Sequence, residues 1–458
     1  MRLYGKIRKV FMIGIGGSGM SGIAEILHNL GYEVSGSDQN PESESVLQLR
    51  SMGIYVAGGH RPQNLGDAQV VVYSSAITPE NPELVEARRR GLLVLRRAQM
   101  LSELMRMKFG VAVSGSHGKT TTTSMMGAVF METGLDPTIV VGGKVKSMGT
   151  SAKVGEGDLM VVEADESDGT FLNFLPNVAV ITNIDEEHLD HYGSFEKLLE
   201  SFAAFANSVP FYGLAILCAD DPWTASLKPK INRVVKTYGL SQGADVRGEI
   251  LERGLGQSRF RVFSDGEELG EVTLGTGGVH NVKNALAVIT AALYLELPFE
   301  RIRSGLASFQ GVSRRFDIRH SGKITVVEDY GHHPTEIAAN LEMAQERNPA
   351  RLVVVFQPHR YTRTHLLKEK FPPAFRQADL IILTDIYSAG ENPIPGVDGE
   401  SLYREFLRQG VSNVEYCPRL DRLVDYVAER MREGDWVLFQ GAGNARNLIP
   451  EIIGRIER

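Results

Sequence analysis

A glycine-containing turn followed by a lysine and a hydroxyl residue is the clearest chemical signal in this sequence. An apolar run, Val111–Ser114, leads into Gly115-Ser116-His117-Gly118-Lys119-Thr120-Thr121 and then into a helix-length segment. In such a turn the backbone N–H groups cradle phosphate, the lysine neutralises transferring charge and the hydroxyl binds Mg²⁺. Two residues separate the glycines here, whereas the general phosphate-loop pattern has four. We predict that this segment binds the phosphates of ATP.

Acidic residues follow a second apolar run, Leu159–Val162. Phosphoryl transfer on a phosphate loop needs a further Mg²⁺ ligand, which is normally an acid at the end of a neighbouring strand. We assign Glu163 to this role because it comes first after the apolar run. The next acids could instead form a solvated turn, and they are Asp165, Glu166 and Asp168.

A histidine, His188, follows the next apolar run, Val178–Ile181. A lone histidine is most often a satisfied core or surface residue, but this one comes after a strand beside the proposed metal site. We expect it to bind a second cation or an acyl phosphate.

A second glycine-rich turn lies near the start of the chain, in the segment Gly14–Ser21 between a strand and a helix. Glycines there allow close backbone approach, and the following helix offers N–H groups to a phosphate. Asp38 follows about twenty residues on, as in the dinucleotide-binding fingerprint. The pattern fits NAD, but a UDP-sugar would satisfy it equally well.

Short apolar runs alternate with helix-length segments along the whole chain, which is typical of parallel sheets with crossover helices. We predict an α/β protein with a Rossmann-like N-terminal domain, a central P-loop ATPase-like parallel sheet and a Rossmann-like C-terminal domain. The expected boundaries are 1–107, 108–313 and 314–458.

Composition excludes several classes of protein. The net charge of −7 gives no reason to expect nucleic acid, so phosphate must be held by local donors. The two cysteines, Cys218 and Cys417, have no metal-like or disulfide-like spacing. The apolar run at Val10–Gly16 is too short for a membrane span or signal peptide. We expect a cytoplasmic protein, either a monomer or a weak homodimer, without membrane insertion.

These and further motifs together resemble the Mur ligases of bacterial cell-wall synthesis. The resemblance covers essentially the whole chain. The motifs that carry it occur in this order: Gly115–Thr121, Glu163–Asp168, Asn183–Asp190, Val279–Asn284, Ser313–Phe316 and Asp329–Pro334. Such an ordered set of motifs is far more specific than any one of them. Further segments narrow it to the alanine-adding branch: Gly14–Ser21, Phe356–Thr364 and Tyr387–Glu391.

The resemblance implies a role for individual residues. Besides the loop Gly115–Thr121, it implies nucleotide contacts for His280, Asn281, Asn284, Arg315 and Asp329. It implies catalytic roles for Lys119, His188 and Arg315, and metal ligands in Thr120, Glu163 and His188. It implies that the UDP moiety is held by Gly16, Gly17, Ser18, Gly19, Asp38, Ser74 and Ser75. It implies that L-alanine is placed by His332, Arg360 and Arg363.

The implied reaction is ATP-dependent, ADP-forming ligation of L-alanine to UDP-N-acetylmuramate through an acyl phosphate, a step of peptidoglycan synthesis. The implied cofactors are ATP and Mg²⁺ at two sites, for which Mn²⁺ can substitute. Other branches carry a carbamylated lysine beyond the histidine, whereas Phe202 and Ala203 occupy that region here. We therefore expect no lysine carbamate.

Three alternatives remain open at this stage. A sister ligase that attaches a murein tripeptide would share the ATP chemistry and differ in the amine pocket. An NAD-dependent oxidoreductase would explain Gly14–Gly19 and Asp38 but not Gly115–Thr121. A catalytically inactive UDP-sugar sensor would have no need of Lys119 and Glu163.

Overall fold

The computed structural model describes residues 6–17, 19–74, 76–142, 152–254 and 256–457. These residues form three sheets, as the sequence predicts. By contacts the chain separates into two compact units: one contains 1–249, 260–275 and 281–311, and the other contains 250–259, 276–280 and 312–458.

The N-terminal sheet is parallel and has the strand order β3-β2-β1-β4-β5. Its strands are β1 (Lys9–Ile13), β2 (Glu33–Asp38), β3 (Tyr55–Gly58), β4 (Val70–Tyr73) and β5 (Leu93–Arg96). Its helices are α1 (Met20–Asn29), α2 (Glu44–Ser51), α3 (Pro82–Arg89) and α4 (Arg97–Met105), with a 3₁₀ turn at Pro62–Leu65.

The central sheet has the order β15-β14-β13-β12-β11-β10-β6-β9-β7-β8. Its first strands are β6 (Phe109–Ser114), β7 (Thr138–Val140), β8 (Ala152–Lys153), β9 (Leu159–Glu163) and β10 (Val178–Ile181). The later strands are β11 (Leu214–Cys218), β12 (Val235–Gly239), β13 (Val246–Arg253), β14 (Ser258–Ser264) and β15 (Glu267–Leu274). The helices of this block are α5 (Lys119–Glu132), α6 (Leu189–Tyr192), α7 (Phe195–Asn207), α8 (Pro222–Leu227), α9 (Val279–Tyr294) and α10 (Phe299–Ser308), with 3₁₀ turns at Thr170–Asn173 and Lys228–Lys230.

The C-terminal sheet has the order β16-β17-β21-β18-β19-β20, and β16 is antiparallel to β17 while the other pairs are parallel. Its strands are β16 (Asp317–Ser321), β17 (Thr325–Asp329), β18 (Arg351–Phe356), β19 (Leu380–Leu383), β20 (Val414–Tyr416) and β21 (Asp435–Gln440). Its helices are α11 (Pro334–Gln345), α12 (Tyr361–Leu367), α13 (Phe371–Ala374), α14 (Gly399–Arg408), α15 (Leu420–Ala428) and α16 (Ile449–Ile456), with 3₁₀ turns at Lys368–Lys370 and Ala445–Leu448.

The first two sheets share apolar packing. One buried cluster contains Met12 of β1 together with Val162 of β9 and Ala179 of β10. Helix α4 is also tied to the central block, because Ser102 Oγ donates to the Asn173 carbonyl at 2.5 Å. These contacts explain why the N-terminal and central sheets fall in one compact unit.

Several element boundaries differ from the sequence prediction. The apolar run Val10–Ile15 predicts a strand of that extent, whereas the strand ends at Ile13 because Gly14 has a φ of +73° and turns the chain. The sequence predicts a segment near 99–108 that bridges the first two blocks, whereas most of it belongs to helix α4, Arg97–Met105. Glu163 is the last residue of β9 rather than the first residue after it.

The topology of the central sheet positions the candidate chemistry. Strand β6 lies between β9 and β10 and is parallel to both. The segments that follow these three strands therefore leave the same edge of the sheet. This edge brings together Gly115–Thr121, Glu163 and the segment 183–188.

Candidate active site

The turn after β6 needs both of its glycines. Gly115 has a φ of +129° and Gly118 a φ of +82°, which are conformations that side chains disfavour. A Cβ on Gly115 would lie 2.1 Å from Thr182 Oγ1. The turn is pinned to the segment after β10, because Asn183 accepts the N–H of Ser116 at 3.0 Å and that of His117 at 2.8 Å. The first-turn N–H groups of α5 then lie at the sheet edge, where an anion can bind them.

The ammonium group of Lys119 is held by three protein acceptors. It donates to the carbonyls of Gly115 at 2.6 Å and Ser116 at 3.1 Å. It also lies 2.9 Å and 2.8 Å from the two carboxylate oxygens of Glu166. An ammonium has three N–H donors, so a phosphate that binds Lys119 must replace one of these acceptors.

Glu166 is buried, with only 1% of its side chain exposed. The solvated-turn alternative is therefore wrong for Glu166, although Asp165 and Asp168 are exposed. Burial raises the pKa of the Glu166 carboxyl to about 7, against the opposing effect of Lys119. Burial lowers the pKa of Lys119, but Glu166 and Asp165 outweigh it and leave the pKa raised. Lys119 thus stays charged and ready for phosphate.

Glu163 and Thr120 lie together, as the metal-site prediction requires. Thr120 Oγ1 donates to Glu163 Oε1 at 3.0 Å, and the Gly142 N–H donates to Glu163 Oε2 at 2.6 Å. A hydroxyl and a carboxylate oxygen are ligands that suit Mg²⁺. Two oxygens 3.0 Å apart can also be neighbouring ligands of one cation, because Mg–O bonds are about 2.1 Å long.

A second group of side chains that could bind a metal ion lies around His188. Its backbone has a φ of +57°, at the start of α6. His188 Nε2 lies 4.0 Å from Glu166 Oε1. Glu166, Glu187 and His188 each offer one ligand atom, and these atoms lie within 4.8 Å of one another. His117 Nε2 also lies 3.2 Å from Asp185 Oδ2, so this histidine is oriented by a neighbouring carboxylate.

Asn284 on α9 reaches the phosphate turn. A Cβ on Gly118 would lie 2.7 Å from Asn284 Oδ1, and Asn284 Nδ2 donates to Asn281 Oδ1 at 3.4 Å. Asn284 therefore lies beside the turn and is hydrogen-bonded to Asn281, while His280 lies in the first turn of the same helix. Their role in nucleotide binding stays a prediction.

The N-terminal glycine turn is built around Asp38 at the end of β2. Asp38 Oδ2 accepts the Gly16 N–H at 2.9 Å, and Ser45 Oγ donates to the Gly16 carbonyl at 2.7 Å. Gly19 has a φ of +77° and precedes α1. Ser74 Oγ would lie 4.0 Å from a Cβ on Gly17. Ser18 and Ser75, also predicted for UDP, lie outside the described residues.

Sequence reasoning missed Arg97, which lies beside this turn. A Cβ on Gly19 would be 2.9 Å from Arg97 Nη1. Among the residues that the structure describes, no carboxylate pairs with this half-buried guanidinium. The sequence does not reveal this contact because Arg97 and Gly19 are far apart along the chain. They meet only when α4 packs beside α1.

In the C-terminal unit, Asp329 at the end of β17 accepts backbone hydrogen bonds from two neighbouring segments. Its carboxylate accepts the N–H of Gly331 at 2.6 Å and that of Phe316 at 2.7 Å. Burial raises its pKa, and Arg315 opposes this effect. Arg315 Nη1 donates to Glu336 Oε1 at 3.2 Å. Arg315 and Asp329 are thus brought together as expected, while their part in an ATP site stays a prediction.

The residues expected to place L-alanine also gather. The rings of His332 and His359 are 5.4 Å apart, and Arg363 Nη1 donates to His359 Nδ1 at 3.1 Å. Arg360, with a φ of +69°, directly precedes α12, the helix that carries Arg363. Burial, followed by Arg363 and Arg360, lowers the pKa of His359 to about 4. A neutral imidazole is also what the geometry needs, because Nδ1 must accept the guanidinium N–H.

Comparison with known proteins identifies the class as a three-domain amide ligase. The family models for the Mur ligase family catalytic domain, the Mur ligase middle domain and the glutamate ligase domain match residues 9–109, 113–292 and 314–443. The chain belongs to the Mur ligase family.

Similarity extends over the full length of individual members. The chain is 50% identical over 445 residues to the UDP-N-acetylmuramate–L-alanine ligase of Trichlorobacter lovleyi, covering 96% of this chain and 97% of that one. The crystal structure of UDP-N-acetylmuramate–alanine ligase MurC from Thermotoga maritima matches with a TM-score of 0.80 at 29% identity, covering 98% and 99%. A murein peptide ligase from Psychrobacter arcticus shares the fold, with a TM-score of 0.69 at 21% identity and 98% of each chain covered.

Proposed function

We propose that this chain joins L-alanine to the lactyl carboxylate of UDP-N-acetylmuramate, with ATP as the source of energy and an acyl phosphate as the intermediate. The observation that carries the proposal is the arrangement around Lys119: a phosphate turn, a buried carboxylate partner and metal-ligand types on both sides. The choice of substrates is supported by the similarity to alanine ligases over nearly the whole chain.

In the first step a carboxylate oxygen of UDP-N-acetylmuramate attacks the γ-phosphorus of ATP, and the bond to the β,γ-bridging oxygen breaks, releasing ADP. Lys119 bears the positive charge that stabilises the transferring group, and the N–H groups at the start of α5 hold the phosphates. If Lys119 turns from Glu166 to phosphate, the buried Glu166 carboxylate loses its cationic partner. A divalent cation held by Glu166, Glu187 and His188 would then compensate that negative charge.

The ligand types around the turn fit divalent cations. Thr120 and Glu163 would hold one Mg²⁺, and His188 with Glu166 and Glu187 would hold a second. Bound there, Mg²⁺ would neutralise charge on the phosphate oxygens. Mn²⁺ has similar ligand preferences and is expected to substitute.

In the second step the amine of L-alanine attacks the acyl carbon, a tetrahedral intermediate forms, and the carbon–oxygen bond to phosphate breaks. Arg360 and Arg363 offer two guanidinium groups for the amino acid carboxylate, since a planar fork of donors matches a carboxylate. The neutral His359 beside Arg363 adds no charge that would compete for that carboxylate.

The N-terminal turn is the proposed site of the UDP diphosphate. The protein has a net charge of −7, so a diphosphate needs local donors. The α1 N-terminus after Gly19 supplies N–H groups, and Arg97 supplies a cation beside them. Asp38 holds the turn through the Gly16 N–H, a contact that suits a UDP-sugar and a dinucleotide equally.

No helix among the described residues is long and apolar enough to cross a membrane. A reaction that consumes ATP and a UDP-sugar supports a cytoplasmic location for the protein. The test is phosphate release from Mg-ATP and UDP-N-acetylmuramate with L-alanine, glycine, L-serine or a murein tripeptide as acceptor. Release that depends on L-alanine, with the new amide seen by mass spectrometry, is the expected result. Dependence on the tripeptide alone would reassign the acceptor.

A further inference from the structure

A buried carboxylate on α3 is hydrogen-bonded to the N-terminal sheet, outside the residues assigned so far. Glu83 on α3 is fully buried. Its Oε2 accepts Ser37 Oγ at 2.6 Å and His60 Nδ1 at 3.1 Å. Its Oε1 accepts the Arg61 N–H at 3.1 Å and Asn64 Nδ2 at 2.6 Å. Four donors from two other segments thus converge on one carboxylate.

One of these segments is the tip of β2, which carries the glycine turn. The Ser37 carbonyl accepts the N–H of Gly14 at 2.8 Å and that of Ile15 at 3.1 Å. The next residue, Asp38, accepts the Gly16 N–H on its side chain at 2.9 Å. Three consecutive N–H groups of the turn are therefore bound to two residues of β2. The position of the turn follows the position of this strand tip.

The other segment closes the network from the opposite side. The Gly59 N–H donates to the Asp38 carbonyl at 2.8 Å, and Asn64 Nδ2 donates to the Gly59 carbonyl at 3.0 Å. Asn64 also donates to Glu83, so the loop after β3 is hydrogen-bonded both to the end of β2 and to Glu83. The side chain of Ser37 is itself fully buried, so bulk solvent does not reach this part of the network.

We propose that Glu83 is a positioning residue for UDP-N-acetylmuramate, acting through Ser37 and Asp38 on the glycine turn. The inference rests on the proposed function, because it takes that turn as the diphosphate site. Without the carboxylate, four donors lose their acceptor in a buried setting, and such a loss moves or loosens the segments that carry them. Amides that bind a diphosphate lose contact when they shift by a fraction of an ångström.

A purely architectural role is the competing explanation, and it makes a different prediction. If Glu83 only stabilised the fold, its loss would lower the unfolding temperature and change KM for all three substrates alike. If Glu83 positions the glycine turn, its loss raises KM for UDP-N-acetylmuramate and leaves KM for ATP and for L-alanine unchanged. The residues proposed to bind ATP and L-alanine lie on other elements. The pattern across the three substrates therefore separates the two roles.

The experiment compares the full-length wild type with Glu83→Gln, which keeps the shape but places N–H donors where an acceptor is needed. The control is Asp435→Asn, a carboxylate with 1% exposure whose partner Arg351 lies 2.6 Å away at the start of β18. Steady-state KM is measured for each substrate, and the Kd of UDP alone is measured by calorimetry. We expect Glu83→Gln to raise KM for UDP-N-acetylmuramate and Kd for UDP by about tenfold, and Asp435→Asn to change neither.

A milder variant, Ser37→Ala, protects the test against a folding defect in Glu83→Gln. It removes one donor and should raise the same two constants in the same pattern. Equal changes in all three KM values, or an unchanged UDP Kd in Ser37→Ala, would overturn the inference. If the wild type binds UDP but ligates no acceptor, the proposed function fails, while the Kd of UDP in the two variants still decides the role of Glu83.

Discussion

The ammonium of Lys119 lies 2.9 Å and 2.8 Å from the two carboxylate oxygens of Glu166, and both side chains are largely buried. This pair keeps a cation at the phosphate turn, and Glu166 is one of the three acceptors of Lys119 that an arriving phosphate can displace. A buried ion pair broken on one side leaves an uncompensated charge. The binding of nucleotide phosphate by Lys119 therefore changes the electrostatic environment of the Glu166 carboxylate.

Lys119→Ala should lower kcat by roughly 100-fold or more, since charged donors in a site that excludes water make some of the largest contributions to transition-state stabilisation. The measurement is the steady-state rate of ADP formation at saturating substrates. Lys236→Ala serves as the control, because Lys236 pairs with the exposed Asp265 far from the turn. Near-normal turnover of Lys119→Ala would refute its assignment.

Glu163→Gln should raise the Mg²⁺ concentration for half-maximal rate by about tenfold or more, because even residues that only support a metal ligand cost that much in affinity. Thr120 is left without its carboxylate partner in this variant. Titration of chelator-treated enzyme with Mg²⁺ gives the value. The control, Asp158→Asn, changes an exposed acid at the opposite end of the same strand. Identical Mg²⁺ curves for all three proteins would exclude Glu163 as a ligand.

Arg97→Ala should raise KM for UDP-N-acetylmuramate by about tenfold with little change in KM for ATP, because a charge-assisted hydrogen bond to phosphate is lost. Arg89→Ala is the matched surface control, since Arg89 is exposed and paired with Glu86 on its own helix. The binding of UDP alone, measured by calorimetry, should weaken in parallel. An unchanged KM would mean that the guanidinium beside Gly19 does not contact this substrate.

Arg363→Ala should raise KM for L-alanine by about tenfold or more and leave KM for UDP-N-acetylmuramate unaffected. Arg363→Lys should recover only part of the loss, because lysine cannot offer the planar fork. Arg404→Ala, at an exposed residue paired with Glu400, is the control. If KM for ATP rose instead, Arg363 would belong to the nucleotide site.

The low pKa of His359 predicts a specific pH dependence of stability. Burial, Arg363 and Arg360 lower that pKa from 6.5 to about 4. Between these values the unfolded chain binds a proton that the folded chain does not, so folding is favoured above pH 6.5 and this contribution is lost as pH falls towards 4. The unfolding temperature of the wild type should therefore fall relative to that of His359→Gln across this range, and parallel curves would contradict the shift.

Much of the fold could be predicted from sequence because apolar runs and glycines are local signals. The strands that carry the phosphate turn, Glu163 and the segment before His188 all form. Gly134 follows the helix-length segment 121–132 in the sequence, which predicts a helix-ending glycine, and it takes a φ of +82° after α5. The strand ends were less accurate, since Gly14 turns the chain two residues early.

The partners of the chemical groups could not be predicted in the same way. Three acids follow Glu163, and nothing local tells which one turns inward to Lys119; only packing of the strand ends makes it Glu166. Arg97 and Glu83 likewise gain their positions from helices that meet the glycine turn or its supporting strand in three dimensions. Such contacts join distant parts of the chain, and one sequence does not reveal them.

The most direct test of the account follows the oxygen that leaves with phosphate. UDP-N-acetylmuramate labelled with ¹⁸O in its carboxylate is incubated with the enzyme, Mg-ATP and L-alanine, and the inorganic phosphate and the nucleotide product are analysed by mass spectrometry. The account predicts one ¹⁸O atom in the phosphate and ADP as the nucleotide product. Amide formation with unlabelled phosphate, or with ¹⁸O in AMP, would contradict an acyl phosphate formed at the Lys119 turn.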